Sequence, residues 1–246
     1  MRPGRGLVVL DKDGVLLDFS RLWGQMTRLR MEFLAEALGG WCPPELELAS
    51  FLGLDEAGRP HPAGRVVRLP GTETLKEMES WLSARGVPSA FRARIPWAFA
   101  AAASRLPPEA YRSLPGVRQA LVTLKEDGWS LAVATSDTAA HTRNSLEKAD
   151  LLDLLPCRVG GDEVSSAKPA PDLFLAACAR AGFPTGLAAA IGDGPADMRM
   201  ARSGAAAKVI GLRSGVGRDE ELRPLADLVF DDLHAAAGHL VSHGLS

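Results

Sequence analysis

The feature that most constrains the fold is a single predicted strand close to the amino terminus, at residues 7–10. Its four residues are apolar and two of them are β-branched, which is typical of a strand buried in a sheet. Between Phe19 and Tyr111 the only strand pattern is a weak one at 65–69. One strand cannot form a sheet alone, so it must pair with strands that come later in the chain. We therefore expect a sheet domain that is interrupted, directly after its first strand, by a large insertion.

The second half of the chain alternates predicted strands with predicted helices. Strands are predicted at residues 131–134, 187–191, 206–210 and 227–230, and helices at 117–127, 138–149, 169–181 and 195–203. Alternation of this kind is typical of a parallel sheet with helices on both faces. The predicted fold class is therefore α/β, with a Rossmann-like core formed by residues 1–18 and 113–246.

The insertion, residues 19–112, is predicted to be mostly helical. Apolar residues recur at helical spacing over 22–38, where a Gly-Gly pair ends the run, and a short helix is predicted at 45–52. Thr74 and Glu77 have the spacing of a capping box, which predicts a helix from there to Gly86. A further helix is predicted over 89–106, kinked or split at Pro96.

Composition and charge limit the kinds of binding partner, and the cellular compartment, that we expect for this protein. The 246 residues carry a formal net charge of −2, so we expect no nucleic acid partner. The apolar run before Asp11 is too short for a signal peptide or a membrane span, so we expect no membrane partner. Cys42, Cys157 and Cys178 are scattered without metal or disulfide spacing, which indicates a reduced, cytoplasmic protein. A homodimer stays open as the assembly state.

Two carboxylates follow the first strand directly. Asp11 and Asp13 are one residue apart and a glycine comes next, at the strand end where open α/β sheets bind their ligands. Two carboxylates this close repel each other unless a cation or a proton lies between them. The functional interpretation is a Mg²⁺ site with one carboxylate left to attack a substrate. The alternative is an ordinary exit from a strand into a turn, since Asp and Gly are common turn residues.

Polar residues also follow the later strands. They are Thr135 and Ser136 after the second strand, Asp193 and Asp197 after the strand at 187–191, and Lys168 directly before a predicted helix. Each has an ordinary structural explanation when taken alone, as a helix cap, a turn residue or a solvated side chain. Because parallel strands place their carboxyl ends on one edge of the sheet, we expect these groups to converge with the two carboxylates of the first strand.

In this order the residues resemble the four motifs of the haloacid dehalogenase (HAD) superfamily, over almost the whole chain. The first motif, Asp-x-Asp-Gly-x-x-x-Asp, is residues 11–18; the second is Thr135; the third is Lys168 before Pro169; the fourth, Gly-Asp-x-x-x-Asp, is residues 192–197. Residues 114–117 and 160–164, and a helical insertion directly after the first motif, are similar to the phosphoglycolate-phosphatase-like branch. One departure is Val15, where many phosphatases have Thr and sugar-phosphate mutases often have Val.

The resemblance implies a division of roles at the site. Asp11 would be the nucleophile that forms an aspartyl phosphate, and Asp13 would protonate the leaving oxygen and later activate the hydrolytic water. Mg²⁺ would bind the Asp11 carboxylate, the Asp13 backbone carbonyl and Asp193. Asp197 would orient water ligands of the metal. Lys12, which stands between two acids, is expected to point away from them in a structural role.

The remaining motif residues would bind the phosphoryl group. Lys168 would balance its charge and keep Asp11 ionised, while Thr135 and the backbone amide of Ser136 would bind a phosphoryl oxygen. The implied reaction is Mg²⁺-dependent hydrolysis of a small phosphate monoester, with a phosphorylated metabolite as the partner. Two alternatives stay open: a phosphomutase of the same superfamily, and a HAD-fold scaffold that has lost catalysis.

Selection of the substrate would fall to the inserted cap domain. A loop of this domain carries Arg59, His61, Arg65 and Arg68. We expect these side chains to be exposed to solvent, and the alternative is that they contact the substrate. A phosphonate-cleaving relative would need a cap lysine, and Lys76 lies in the middle of a predicted helix. The five histidines show no metal or triad spacing. The sequence leaves open which phosphate ester is the substrate.

Overall fold

Six parallel strands form a sheet, and the first strand of the chain lies in its middle. The computed structural model describes residues 5–55, 58–61, 64–65 and 71–246. The strands are β1 (Gly6–Leu10), β2 (Trp129–Ala134), β3 (Cys157–Val159), β4 (Ala188–Gly192), β5 (Lys208–Leu212) and β6 (Leu228–Phe230). Their order across the sheet is β3-β2-β1-β4-β5-β6. The predicted α/β class with a parallel sheet is confirmed.

Strand β1 is hydrogen-bonded on both sides. Val8 is in register with Leu131 of β2 and with Ala189 of β4. All five residues of β1 are buried, as expected for a parallel strand with both faces covered. Because the strands run parallel, the residues that follow β1 and β4 leave the sheet at the same edge. Asp11 and Asp193 therefore lie at this edge.

The insertion forms a helical unit with its own apolar core. Its described residues form the α-helices α1 (Phe19–Leu38), α2 (Glu45–Leu52), α3 (Gly71–Ala84), α4 (Ser89–Arg92) and α5 (Ile95–Arg105). Buried side chains of this unit include Leu38, Leu52, Met78, Leu82 and Ile95. The chain divides into two compact units, Met1–Phe19 with Tyr111–Ser246, and Ser20–Ala110. From the sequence we expected the insertion to begin after residue 18 and to end at residue 112.

Helices of the sheet unit pack against the strands and hold the strand ends in place. They are α6 (Val117–Glu126), α7 (Ala139–Lys148), α8 (Asp172–Ala181), α9 (Pro195–Ser203), α10 (Asp219–Leu222) and α11 (Leu233–His243). Short 3₁₀ helices lie at Gly39–Trp41, Pro108–Tyr111, Gly161–Glu163 and Thr185–Leu187. Phe174 of α8 and Met198 of α9 are fully buried in one cluster with Val9 and Ala132. Burying each large apolar side chain contributes about 1.5–3 kcal/mol.

Several local features differ from the sequence-based expectations. Helix α3 begins at Gly71, so Thr74 lies inside the helix and does not cap it. The helix predicted over 89–106 is split, and not kinked, into α4 and α5; Pro96 lies in the first turn of α5, where its missing N–H costs no hydrogen bond. Strand β3 was not predicted because its three residues include Arg158, which interrupts the apolar run. The weak strand pattern at 65–69 lies almost wholly outside the described residues.

The described part of the chain contains no helix with the length and apolarity to cross a lipid bilayer. Its three cysteines are free thiols, of which Cys178 is buried while Cys42 and Cys157 are half-buried. Burial raises the pKa of all three thiols. A raised pKa lowers the thiolate fraction, so these cysteines are poor nucleophiles.

Candidate active site

Three motif residues meet directly beyond the carboxyl end of β1. The ammonium Nζ of Lys168 donates to Asp11 Oδ1 at 2.6 Å and to Asp197 Oδ1 at 2.6 Å. Asp11 follows β1, and Asp197 lies in the first turn of α9, which follows β4. The Lys168 side chain is only 6% exposed. The structure therefore joins the first, third and fourth motifs in one buried ion cluster.

Burial and neighbouring charges set the protonation of this cluster in the metal-free protein. Burial raises the pKa of the Asp11 carboxyl to about 7, with Lys168 opposing the rise and Asp197 adding to it. Burial alone would lower the pKa of Lys168, but Asp11 and Asp197 outweigh burial and raise it. Lys168 is thus a permanent cation beside the carboxylate that is expected to attack phosphorus.

Asp193 is held by a loop that follows β5. Its carboxylate oxygen Oδ2 accepts from the backbone N–H of Val216 at 2.8 Å, and its backbone carbonyl accepts from Gly217 at 2.9 Å. The carboxylate also packs against the backbone at Gly14 and Gly215, where a Cβ atom would collide with it. Gly14 further has a φ of +83°, a conformation that favours glycine. Sequence reasoning missed this loop because Val216 and Gly217 hold Asp193 through backbone N–H groups, which no sequence pattern reports.

A divalent cation fits the acids at this edge. Carboxylate oxygens of Asp11, Asp193 and Asp197 all lie within 4.8 Å of one another. Burial, and then the charges of Asp197 and Asp11, raise the pKa of Asp193 well above its ordinary value. Hard carboxylate oxygens are the ligands that Mg²⁺ prefers, and its charge would relieve the repulsion.

Asp197 differs from the other two acids because protein donors already contact both of its oxygens. Oδ1 accepts from Lys168 at 2.6 Å and Oδ2 accepts from the backbone N–H of Gly194 at 3.0 Å. The second contact closes the first turn of α9 and fixes the side chain there. These contacts leave Asp197 suited to orienting water ligands, the part that the resemblance assigns to it.

Lys12 does not point away from the acids, and this expectation was wrong. Its side chain is completely buried, and Nζ donates to both carboxylate oxygens of Asp13 at 2.9 Å. Nζ also lies 2.9 Å from Oδ2 of Asp137, which follows β2. A buried ammonium is costly unless it is paired, so it turns toward the carboxylates within reach.

Asp137 belongs to a polar chain that the sequence analysis did not recognise. Its Oδ2 lies 2.9 Å from Nδ1 of His141 in the first turn of α7. The other ring nitrogen of His141 lies 3.4 Å from the hydroxyl of Tyr111. Burial opposes ionisation of Asp137, but Lys12 and His141 outweigh burial and lower its pKa. The i, i+4 spacing of Asp137 and His141 was the available signal.

The second-motif residues lie at the adjacent strand end. Thr135 is buried, and its hydroxyl accepts from the backbone N–H of Asp137 at 3.3 Å. Ser136 is exposed. Neither residue caps α7, because the cap is Thr138, whose hydroxyl accepts from His141 N–H at 3.2 Å. Phosphoryl binding by Thr135 and by the Ser136 amide stays a prediction.

Two basic residues of the insertion loop have partners inside the insertion. Arg59 pairs with Asp55 at 3.0 Å, and Arg65 pairs with Glu77 at 2.7 Å. The guanidinium of Arg65 also lies 4.4 Å from the centre of the Phe51 ring. Arg68 lies outside the described residues. These contacts give Arg59 and Arg65 structural roles, and a role for the loop in substrate contact stays a prediction.

Comparison with known proteins identifies the family. The sequence model of the family of haloacid dehalogenase-like hydrolases matches residues 6–204 of this chain. The chain is 35% identical to the "Probable phosphatase IndB" of Dickeya dadantii over 48% of its length and 51% of that protein. It is 32% identical to a phosphoglycolate phosphatase of Haemophilus influenzae over 49% of its length and 54% of that protein. Each match thus spans about half the length of the relative.

A solved structure agrees over nearly the whole chain. The crystal structure of β-phosphoglucomutase from Clostridium difficile superposes with a TM-score of 0.64, covering 98% of this chain and 96% of that one. Its sequence identity is 16%, so this likeness shows the fold alone. The family match over residues 6–204, with which the meeting of Asp11, Lys168, Asp193 and Asp197 agrees, shows that the chain belongs to the haloacid dehalogenase-like hydrolases.

Proposed function

We propose that this protein is a Mg²⁺-dependent phosphatase that hydrolyses a small phosphate monoester through an aspartyl phosphate on Asp11. The observation that carries the proposal is the cluster beyond β1, in which the Asp11 carboxylate lies 2.6 Å from the Lys168 ammonium and within 4.8 Å of two further acids. A carboxylate nucleophile needs positive charge around it before it can approach a phosphate dianion. The membership in a hydrolase family and the relatives named as phosphatases support the choice of reaction.

The nucleophilic half-reaction would use Asp11 and Asp13. An oxygen of Asp11 attacks phosphorus, the bond from phosphorus to the ester oxygen breaks, and the departing oxygen takes a proton from the Asp13 carboxyl. Lys168 holds Asp11 in place and balances the charge that develops on the phosphoryl oxygens. Thr135 and the Ser136 amide would bind one of these oxygens. The alcohol leaves, and Asp11 carries the phosphoryl group.

The second half-reaction restores the enzyme. Asp13, now a carboxylate, takes a proton from a water molecule, and the resulting hydroxide attacks phosphorus. The bond between phosphorus and the Asp11 oxygen breaks, which releases inorganic phosphate and frees the carboxylate. When bound by Asp11, the Asp13 carbonyl and Asp193, Mg²⁺ would supply positive charge against the phosphoryl oxygens. The residues assigned to these steps all belong to the sheet unit, so we propose that the helical insertion serves substrate choice.

The experiment is a phosphate-release screen over a panel of small phosphate esters, including phosphoglycolate, sugar phosphates and nucleotides. The wild type is assayed with Mg²⁺ and with excess EDTA, and a folded Asp11→Asn variant serves as the control. Release of phosphate that needs both Mg²⁺ and Asp11 would support the proposal. Release that persists in the Asp11→Asn variant would overturn it.

A phosphomutase is the second candidate, because the fold matches β-phosphoglucomutase and Val15 is a residue that such mutases often have. A mutase would return the phosphoryl group to a sugar and release no inorganic phosphate. The same panel, followed by ³¹P NMR, separates the two reactions. A third candidate, a scaffold without catalysis, would neither release nor move phosphate on any ester of the panel.

A further inference from the structure

Lys12 contacts two acidic residues, its neighbour Asp13 and the distant Asp137, and a place in the sequence beside Asp13 explains only the first contact. Its side chain is completely buried, and Nζ contacts three carboxylate oxygens, two on Asp13 and one on Asp137, each at 2.9 Å. An ammonium has three N–H donors and no acceptor. Two of these donors are directed at the Asp13 oxygens, and the ammonium also forms an ion pair with Asp137, so carboxylates on two strand ends hold the group in place.

Asp137, the distant partner of Lys12, is itself held by other residues. Asp137 is held by His141 at 2.9 Å, and His141 by the Tyr111 hydroxyl at 3.4 Å. The backbone carbonyl of Asp137 accepts from the N–H of Gly161 at 2.7 Å, which ties the turn after β2 to the loop after β3. Asp137 is thus anchored through its side chain and its backbone. We call Lys12, Asp13, Asp137, His141 and Tyr111 the Lys12 chain.

We propose that Lys12, anchored by Asp137 and His141, is a positioning residue that holds the Asp13 carboxylate in the orientation from which it transfers protons. The inference rests on the proposed function, since it takes Asp13 to be the general acid and base there. A carboxylate has about four lone-pair sites on its two oxygens, and Lys12 occupies one on each. The remaining sites are left for the substrate oxygen or the hydrolytic water, with the direction of the group already set.

Loss of this orientation has a specific kinetic consequence. Asp11 attacks phosphorus without help from Lys12, whereas the departure of a basic alkoxide needs a proton from Asp13. Esters with acidic leaving groups depart without that proton. Disturbing the Lys12 chain should therefore slow esters with poor leaving groups much more than activated ones. A loss of general stability would instead lower the rates of all esters by one common factor.

The first experiment measures kcat and KM for a series of aryl phosphates whose phenols range from strongly to weakly acidic. It compares the wild type with Asp137→Asn and Lys12→Met. We expect kcat/KM, which reports the phosphorylation of Asp11 and not the later hydrolysis of the aspartyl phosphate, to fall by about 10²-fold for phenyl phosphate and by less than about threefold for 4-nitrophenyl phosphate. An equal loss on all esters, or no loss on any, would overturn the proposal.

The control variant is Asp227→Asn. Asp227 also forms an ion pair with a basic residue, Arg202 at 2.6 Å, and accepts from the N–H of Val209 at 2.7 Å. These contacts lie at the amino ends of β5 and β6, at the edge of the sheet opposite to Asp13. Asp227→Asn should leave the dependence of rate on leaving group as it is in the wild type. A steeper dependence in this variant too would overturn the proposal.

A second measurement needs no catalysis. The side-chain ammonium of a buried, fixed lysine gives an ¹H–¹⁵N NMR signal whose protons exchange slowly with water. We expect such a signal for Lys12, absent in Lys12→Met, shifted in Asp13→Asn and broadened or lost in Asp137→Asn. A Lys12 signal that is unchanged in Asp137→Asn would overturn the proposal. If the wild type hydrolyses no ester at all, the proposed function fails, and the NMR result alone still decides whether Lys12 is held as described.

Discussion

Lys168 Nζ lies 2.6 Å from Asp11 Oδ1, a contact between residues 157 positions apart in the chain. The pair exists because β1 is a central strand and the segment that carries Lys168 comes to the same edge of the sheet. The same ammonium contacts Asp197, so one cation serves two buried acids. Removing that cation would leave both carboxylates without a counter-charge, so we expect Lys168 to matter for stability and, under the proposed function, for catalysis.

Lys168→Met should lower both stability and activity. Breaking a buried ion pair by removing one partner costs about 3–5 kcal/mol, because the remaining charge is left without compensation. Chemical denaturation measures this loss, and phosphate release should fall by about 10²-fold or more. The matched variant is Arg202→Met, which removes a partly exposed pair with Asp227 and should cost about 1 kcal/mol or less. Equal losses for the two variants would contradict the assigned role of Lys168.

Asp11→Asn should abolish phosphate release and leave the fold intact. An amide cannot attack phosphorus, and removing one acid from a crowded buried cluster relieves repulsion with Asp197 and Asp193. The variant should therefore be at least as stable as the wild type in the absence of metal. Circular dichroism and thermal unfolding report the fold, and a malachite green assay reports phosphate. Phosphate release at the wild-type rate by the folded variant would show that another group is the nucleophile.

Mg²⁺ should stabilise the protein more at pH 8 than at pH 5.5. The pKa of Asp11 is about 7 in the folded, metal-free protein, above its ordinary value of 3.8, so the folded state takes up the proton more readily. The stability contributed by this group is therefore greatest below pH 3.8 and falls as the pH rises through about 7. Above that pH the carboxylate is free to bind the cation without first losing a proton.

The measurement is the shift in melting temperature with added Mg²⁺ at the two pH values. Ca²⁺, which takes more and longer bonds, is the comparison ion and should not restore activity after chelation. A shift of the same size at pH 5.5 and pH 8 would be evidence against coupling of metal binding to Asp11.

Gly215→Ala should weaken metal binding with little effect on the fold. A Cβ at this position collides with the Asp193 carboxylate, so that acid must move away from its present place. Displacing the support of a metal ligand typically lowers affinity or activity by about 10–100-fold. Activity as a function of Mg²⁺ concentration should therefore shift to higher concentration. Gly186→Ala is the control, because a Cβ there meets nothing within 4 Å. Identical Mg²⁺ curves for the two variants would refute the prediction.

The sequence allowed the fold class and the convergence of the motif residues to be predicted. Hydrophobic periodicity located β1 and the alternating elements after residue 113, and parallel pairing then required the ends of β1 and β4 to meet. Asp11, Lys168, Asp193 and Asp197 indeed lie together. Their catalytic and metal-binding roles stay predictions.

Contacts that depend on side-chain direction could not be predicted. Lys12 reaches Asp137 only because β2 lies beside β1, and periodicity does not report where a long side chain ends. The loop around Asp193 depends on Gly215 and Val216, residues without chemistry of their own. Strand β3 was missed because it has only three residues and one of them, Arg158, interrupts the apolar run. In each case the tertiary neighbour, and not the local pattern, decides the structure.

The central place of β1 has a consequence for biosynthesis. β1 leaves the ribosome before the other strands of the sheet, and its partners, residues 129–133 and 188–191, are made much later. The helical insertion, with its own apolar core, is complete before either partner exists. The sheet unit is therefore incomplete until β4 has been made, and the apolar residues of β1 have no strand partner until β2 has been made. We expect nascent chains that end between α5 and β2 to contain an insertion that resists proteases and a β1 that chaperones can bind.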